Sequence, residues 1–190
     1  MRILILSQAR SGSTGLQAWL KEEFKEEVMV NPFNPYDKSE EELDDDYEWL
    51  VSDRGLILKF VDNLFLKVSR IPDAGWLIRR FDKVIGLTRE NDIDYAKSRL
   101  IGDITNDWRS SSSSHPHITD DALDKYKLEQ YVEEAKINKQ FIRDLPLFQI
   151  TYEQIYKDKN VNGLLEYLEL KPDYLDYLFE NKNVTKNWNF

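Results

Sequence analysis

Residues 1–20, MRILILSQARSGSTGLQAWL, constrain the fold more than any other stretch. Ile3, Leu4, Ile5 and Leu6 form an apolar run bounded by polar residues, which predicts a buried strand. Leu16, Ala18, Trp19 and Leu20 then begin a helical pattern. Between them lies Ser7-Gln8-Ala9-Arg10-Ser11-Gly12-Ser13-Thr14-Gly15, a turn of small residues around a single cation. A strand passing through such a turn into a helix presents backbone N–H groups at a positive helix end, a site for a phosphate-like anion. The hydroxyls add donors, Gly12 lets an anion approach the backbone, and Arg10 supplies charge in a bidentate fork.

The turn does not fit the pattern GxxxxGK[ST]: Ser7 holds the first glycine position, and no lysine follows Gly12. Further core strands are expected at 28–30, 56–60, 83–88 and 147–150. Helices are expected at 39–50, 74–81, 92–108, 120–143, 152–157 and 161–168, with further helical segments up to 69 and around 174–179. Prolines at 32 and 35 rule out a helix there, and the serine-rich stretch 109–117 reads as a loop. Strands that alternate with helices, without a hairpin signal, imply parallel β-α-β units. The expected fold class is α/β: a three-layer, P-loop-like domain with a mainly parallel sheet of four to five strands. No linker or repeat divides the chain, so residues 1–190 read as one domain.

Charge narrows the partners. The net charge is −9, which argues against a nucleic-acid partner. Residues 21–54 carry 4 basic against 13 acidic residues and account for all of it. The remainder is neutral, so an anionic ligand fits if its site lies away from this segment, which reads as a solvated face. The chain has no cysteine and two histidines, His115 and His117, so no metal site is expected. The N-terminal apolar run is too short for a signal-peptide core and nothing approaches a membrane span, giving a cytoplasmic expectation without a membrane partner.

In an open parallel sheet, ligands gather beyond the carboxyl ends of the strands. There the first strand delivers Arg10 and Ser11, and the strand at 83–88 delivers Arg89. A P-loop kinase would typically place an acid at such a strand end to hold Mg²⁺. Thr88-Arg89 offers a cation instead, although Glu90 is adjacent. Ser98 follows nine residues on, and the two could close on one phosphate. The plain alternative for Arg89 is a surface ion pair with Glu90 or Asp92.

Arg10-Ser11-Gly12-Ser13-Thr14 after an N-terminal strand resembles the 5′-phosphosulfate loop of sulfotransferases, whose donor is 3′-phosphoadenosine 5′-phosphosulfate (PAPS). Leu87-Thr88-Arg89 through Ser98 resembles their 3′-phosphate motif, with a step similar to that of the bacterial trehalose 2-sulfotransferase-like group. Trp108, the segments at 150–155 and 164–168, and the terminal NKNVTKNW are also similar to that superfamily.

The resemblance implies a metal-free sulfotransferase with PAPS as co-substrate and a hydroxyl of a carbohydrate or other small molecule as acceptor. Arg10 would bridge the leaving phosphate and the sulfuryl group. Backbone N–H groups from Ser11 to Gly15 would hold the 5′-phosphate, with the Ser13 and Thr14 hydroxyls. Arg89, Ser98 and Lys182 would hold the 3′-phosphate. Lys59 resembles a strand-end lysine that reaches the sulfuryl group, its plain alternative being a snorkelling lysine. The base departs from the pattern: Phe60-Val61-Asp62 follows Lys59 where cytosolic relatives carry a histidine. Asn34 stands where the resemblance to the trehalose group implies a glutamate. Asp62 is the first choice of base, with Asp37, His115 and His117 open. Trp49, Trp76 and Trp108 could stack on an acceptor or belong to the core. A PAPS-binding protein without turnover and a divergent P-loop nucleotide kinase are the competing readings. Oligomeric state is not legible.

Overall fold

A computed structural model describes residues 1–30, 40–52, 54–61, 71–105, 125–171 and 175. Its centre is a five-stranded, all-parallel sheet: β1 (Arg2–Ser7), β2 (Glu27–Val30), β3 (Leu56–Val61), β4 (Lys83–Thr88) and β5 (Phe148–Thr151), in the order β2-β3-β1-β4-β5. The helices are α1 (Ser13–Phe24), α2 (Glu40–Val51), α3 (Ala74–Ile78), α4 (Asp92–Thr105), α5 (Lys125–Arg143) and α6 (Asn162–Leu168). A π-helical turn, Glu153–Lys157, follows β5. This is the α/β class expected from the alternation, with five strands.

The unbroken apolar run of β1 follows from its central place. A parallel strand covered on both faces has no polar side to present, so Ile3, Leu4 and Ile5 are all fully buried. Side chains alternate across the sheet, and the core is split accordingly. Ile3, Ile5, Ile57 and Ile85 pack with Leu16, Trp19 and Leu20 of α1, Ile155 of the π-turn, and Leu164 and Leu165 of α6. Leu4, Leu6, Leu58 and Phe60 pack on the other face with Leu50 of α2 and Leu77 of α3. A smaller cluster of Tyr95, Ala96 and Ala135 joins α4 to α5, with Ala9 against it.

The register decides what reaches the carboxyl edge. Ile5 pairs with Lys59 on one side and Ile85 on the other, and Ser7 pairs with Val61 and Leu87. Lys59 therefore lies on the α1 face, two residues beyond Ile57. The loops after β1 and β4 leave from neighbouring strands at this edge, the usual place for a ligand crevice in an open α/β sheet.

Element bounds differ little from expectation. The helix expected at 74–81 closes at Ile78, with Asp73 capping it by accepting from the Trp76 N–H at 2.7 Å. The segment expected to be helical at 152–157 is π-helical from Glu153. Residues 31–39, 62–70 and 106–124, and the expected segment around 174–179 apart from Leu175, lie outside the described residues. Among those described, no helix is long and apolar enough to cross a membrane.

Candidate anion site at the carboxyl edge

The loop between β1 and α1 is held from within before any ligand is considered. Gln8 is fully buried and its backbone N–H donates to the Leu87 carbonyl at 3.0 Å. Its side-chain amide donates to the Ala135 carbonyl at 2.7 Å and accepts from the Arg89 N–H at 2.7 Å. One glutamine thus ties the end of β1 to the exit of β4 and to α5. The Ser11 hydroxyl donates to the Gln8 carbonyl at 2.6 Å, so it closes the turn. Arg10 and Gly12 are both left-handed, at φ 57 and φ 80. Glycine accepts that conformation freely, whereas an arginine is held there at some cost.

The second role of Gly12 was not legible in the chain. A Cβ at Gly12 would lie 2.3 Å from Cε2 of Tyr156, and one at Gly15 would lie 2.8 Å from its hydroxyl. The missing side chains therefore make room for a tyrosine ring. The Ser13 and Thr14 N–H groups stand at the first turn of α1, ahead of the helix's own ladder, whereas that of Gly15 donates to the Gly12 carbonyl at 3.0 Å.

Three cations meet around this loop. The Arg10 Nε donates to the Ser98 hydroxyl at 2.9 Å, joining the β1 loop to α4. Arg89 donates from Nη1 to the Arg10 carbonyl at 3.3 Å. The two anion-binding stretches expected separately are thus brought into direct contact. Lys59 is 4% exposed, and its ammonium donates to the Thr14 hydroxyl at 3.2 Å. It does not snorkel: it points from β3 into the first turn of α1. Burial pushes its pKa down to about 8.

The ion pairs expected as the plain alternative for Arg89 are not the ones formed. Glu90 pairs with Arg143 at 2.6 Å, and Asp92 pairs with Lys139 at 2.6 Å. Arg89 reaches Asp94 instead, at 3.6 Å, a long contact that Asp94 shares with Lys157 at 3.8 Å. Its guanidinium lies over the Tyr152 ring, 4.6 Å from the centroid. Among the described residues, no acceptor reaches its buried Nε. A buried guanidinium donor without an acceptor is costly, and an anionic ligand would remove that cost.

Ser13 is buried and Thr14 exposed. Asp62, Asp37, His115, His117, Lys182 and Trp108 lie outside the described residues. Trp49 and Trp76 are partly buried and pack against the core. They pack on the Leu4–Phe60 face, and the Arg80 guanidinium sits 3.6 Å from the Trp76 ring centroid. Arg2, which opens β1, donates to the carbonyls of Leu50 at 2.6 Å and Arg80 at 2.8 Å. This binds the ends of α2 and α3 to the amino edge, away from Arg10.

No protein-family model matches the chain. No curated protein matches it either. Among solved structures, it is similar to a sulfotransferase domain from the curacin biosynthetic pathway, at 17% sequence identity and a TM-score of 0.49. The similarity covers 98% of this chain and 80% of that one. A likeness of this degree assigns no role to any residue here.

Proposed function

We propose that the chain is a sulfotransferase that uses PAPS and passes the sulfuryl group to a hydroxyl of a carbohydrate or another small molecule. The observation that carries this reading is the meeting of Ser98 and Arg89 at Arg10, and of Lys59 at Thr14, around one loop from Arg10 to Thr14. These side chains suit two anionic groups: one at the N–H groups of α1, and one beside the buried Nε of Arg89, which no acceptor among the described residues reaches. The sequence resemblance assigns these to the 5′-phosphosulfate and the 3′-phosphate. Support for a kinase is weaker, because the carboxylate of Glu90, nearest to a metal-holding position, is engaged by Arg143.

PAPS supplies a sulfuryl group bound to a phosphate that leaves with its electrons. The acceptor oxygen attacks sulfur in line, the new S–O bond forms as the bond to the phosphate oxygen breaks, and a base takes the acceptor proton. Arg10 neutralises charge gathering on the leaving phosphate oxygen, and Lys59 acts from the Thr14 side. This is positioning and electrostatic catalysis. Asp62 remains the first choice of base on sequence grounds, with Asp37, His115 and His117 behind it.

Incubation with PAPS labelled in sulfur, a panel of sugars and small alcohols, and a metal chelator tests the reading. Label should move to at least one acceptor with the chelator present. Failure across the panel, together with Mg²⁺-dependent phosphate transfer from ATP, would replace the reading with the kinase.

Lys59 adds a pH signature. Its ammonium loses its proton near pH 8 in the free protein, and a bound anion would hold the proton on. Donor affinity should be flat below pH 8 and then fall by up to about tenfold per pH unit. Lys59→Met should bind more weakly at neutral pH and lose that slope. A wild-type slope that survives in Lys59→Met would assign it to another group.

A further inference from the structure

We propose that Tyr156 is a positioning residue of the anion loop: its hydroxyl holds the Gly12 carbonyl and thereby aims the Ser13 N–H at the bound anion. The identity of that anion, the 5′-phosphate of the donor, rests on the reading given above, whereas the loop geometry does not.

Tyr156 sits in the π-turn, 144 residues along the chain from Gly12, and its Oη donates to the Gly12 carbonyl at 2.8 Å. The same carbonyl accepts from the N–H groups of Gly15 at 3.0 Å and Leu16 at 3.2 Å. A trans peptide is planar, so the carbonyl of Gly12 and the N–H of Ser13 point in opposite directions. With the carbonyl turned along α1, the Ser13 N–H faces back out of the helix end, where an anion would lie. Fixing one fixes the other.

The ring and its support strengthen the case. The Tyr156 ring lies on the two loop glycines, where a Cβ on either would collide with it. Burial raises its pKa well above the usual phenol range, so the hydroxyl remains a donor at working pH. The turn that carries it is braced to the other anion-binding loop. The Glu153 carboxylate accepts from the N–H groups of Glu90 at 2.9 Å and Asn91 at 3.4 Å. Tyr152 lies under the Arg89 guanidinium. Single π-turns recur at functional sites, and here one turn touches the loops after β1 and β4 together.

Tyr156→Phe keeps the ring and removes the hydroxyl. Its affinity for adenosine 3′,5′-bisphosphate should fall about 3- to 10-fold, because the energy of up to one neutral hydrogen bond no longer holds the loop in its binding geometry. Its affinity for adenosine 3′-monophosphate, which has no 5′-phosphate, should match wild type. In the ligand-free protein, the Ser13 amide nitrogen resonance should move. No loss for the bisphosphate, or equal losses for both nucleotides, would overturn the proposal. Should wild type bind neither nucleotide, the donor reading falls by itself, and the Ser13 resonance then decides. Unmoved in Tyr156→Phe, it overturns the positioning role; moved, it upholds that role for an anion still to be named.

Discussion

Arg10→Gly should lower the rate of the proposed sulfuryl transfer by about 10²- to 10³-fold while the protein stays folded. The two halves of this expectation have separate causes. Arg10 occupies a left-handed conformation at φ 57, which costs a non-glycine residue roughly 1–2 kcal/mol, and glycine removes that cost. The substitution also removes the Arg10 hydrogen bond to Ser98, a loss of about 1.5–3 kcal/mol for a charged donor. The two terms oppose, so the melting temperature should move little. Transition-state charge has no such compensation, because no other described guanidinium enters from the loop itself. Arg10→Lys should recover part of the rate, since it restores the charge without the planar fork. Initial rates of labelled transfer, set beside thermal melts, separate the effects. A rate within threefold of wild type would remove Arg10 from the reacting charge.

The placement of Arg10 illustrates what could be read from residues alone. β1, β3 and β4 were legible because buried parallel strands appear as short apolar runs, and the Arg89-to-Ser98 step followed once β4 and α4 were identified. The direct hydrogen bond from Arg10 to Ser98 was not legible, since it depends on β4 lying beside β1. The same holds for Lys59. Its position near a strand end was plain, but its burial under α1 depends on the parity of the β1–β3 register. Tyr156 was passed over for a different reason. An aromatic on a short helical segment usually signals core, and only the tertiary fold sets its hydroxyl against Gly12.

Gln8 and Glu153 were missed for a related reason. Each acts through backbone groups of a distant loop, and a polar residue in a turn carries no local sign of such a partner. For Trp49 and Trp76 the core alternative is the one the structure bears out. They were eligible acceptor platforms by chemistry, and the bonds from Arg2 place their helix ends at the amino edge. Strand parity and sheet order decide which eligible side chains meet.

The second large effect is expected at Arg89, where the proposed donor nucleotide would place its 3′-phosphate at this edge of the sheet. Arg89 brings a partly buried guanidinium with one long carboxylate contact, a supporting Tyr152 ring and a buried Nε that no acceptor among the described residues reaches. A phosphate there would receive charged hydrogen bonds from a group whose backbone is already anchored by Gln8. Calorimetric titration with adenosine 3′,5′-bisphosphate, without metal, should show binding to the wild type. In Arg89→Ala it should weaken by about 1.5–3 kcal/mol, roughly 10- to 150-fold. Wild-type protein that ignores the bisphosphate and binds ATP only with Mg²⁺ would contradict the account. So would equal affinity in Arg89→Ala.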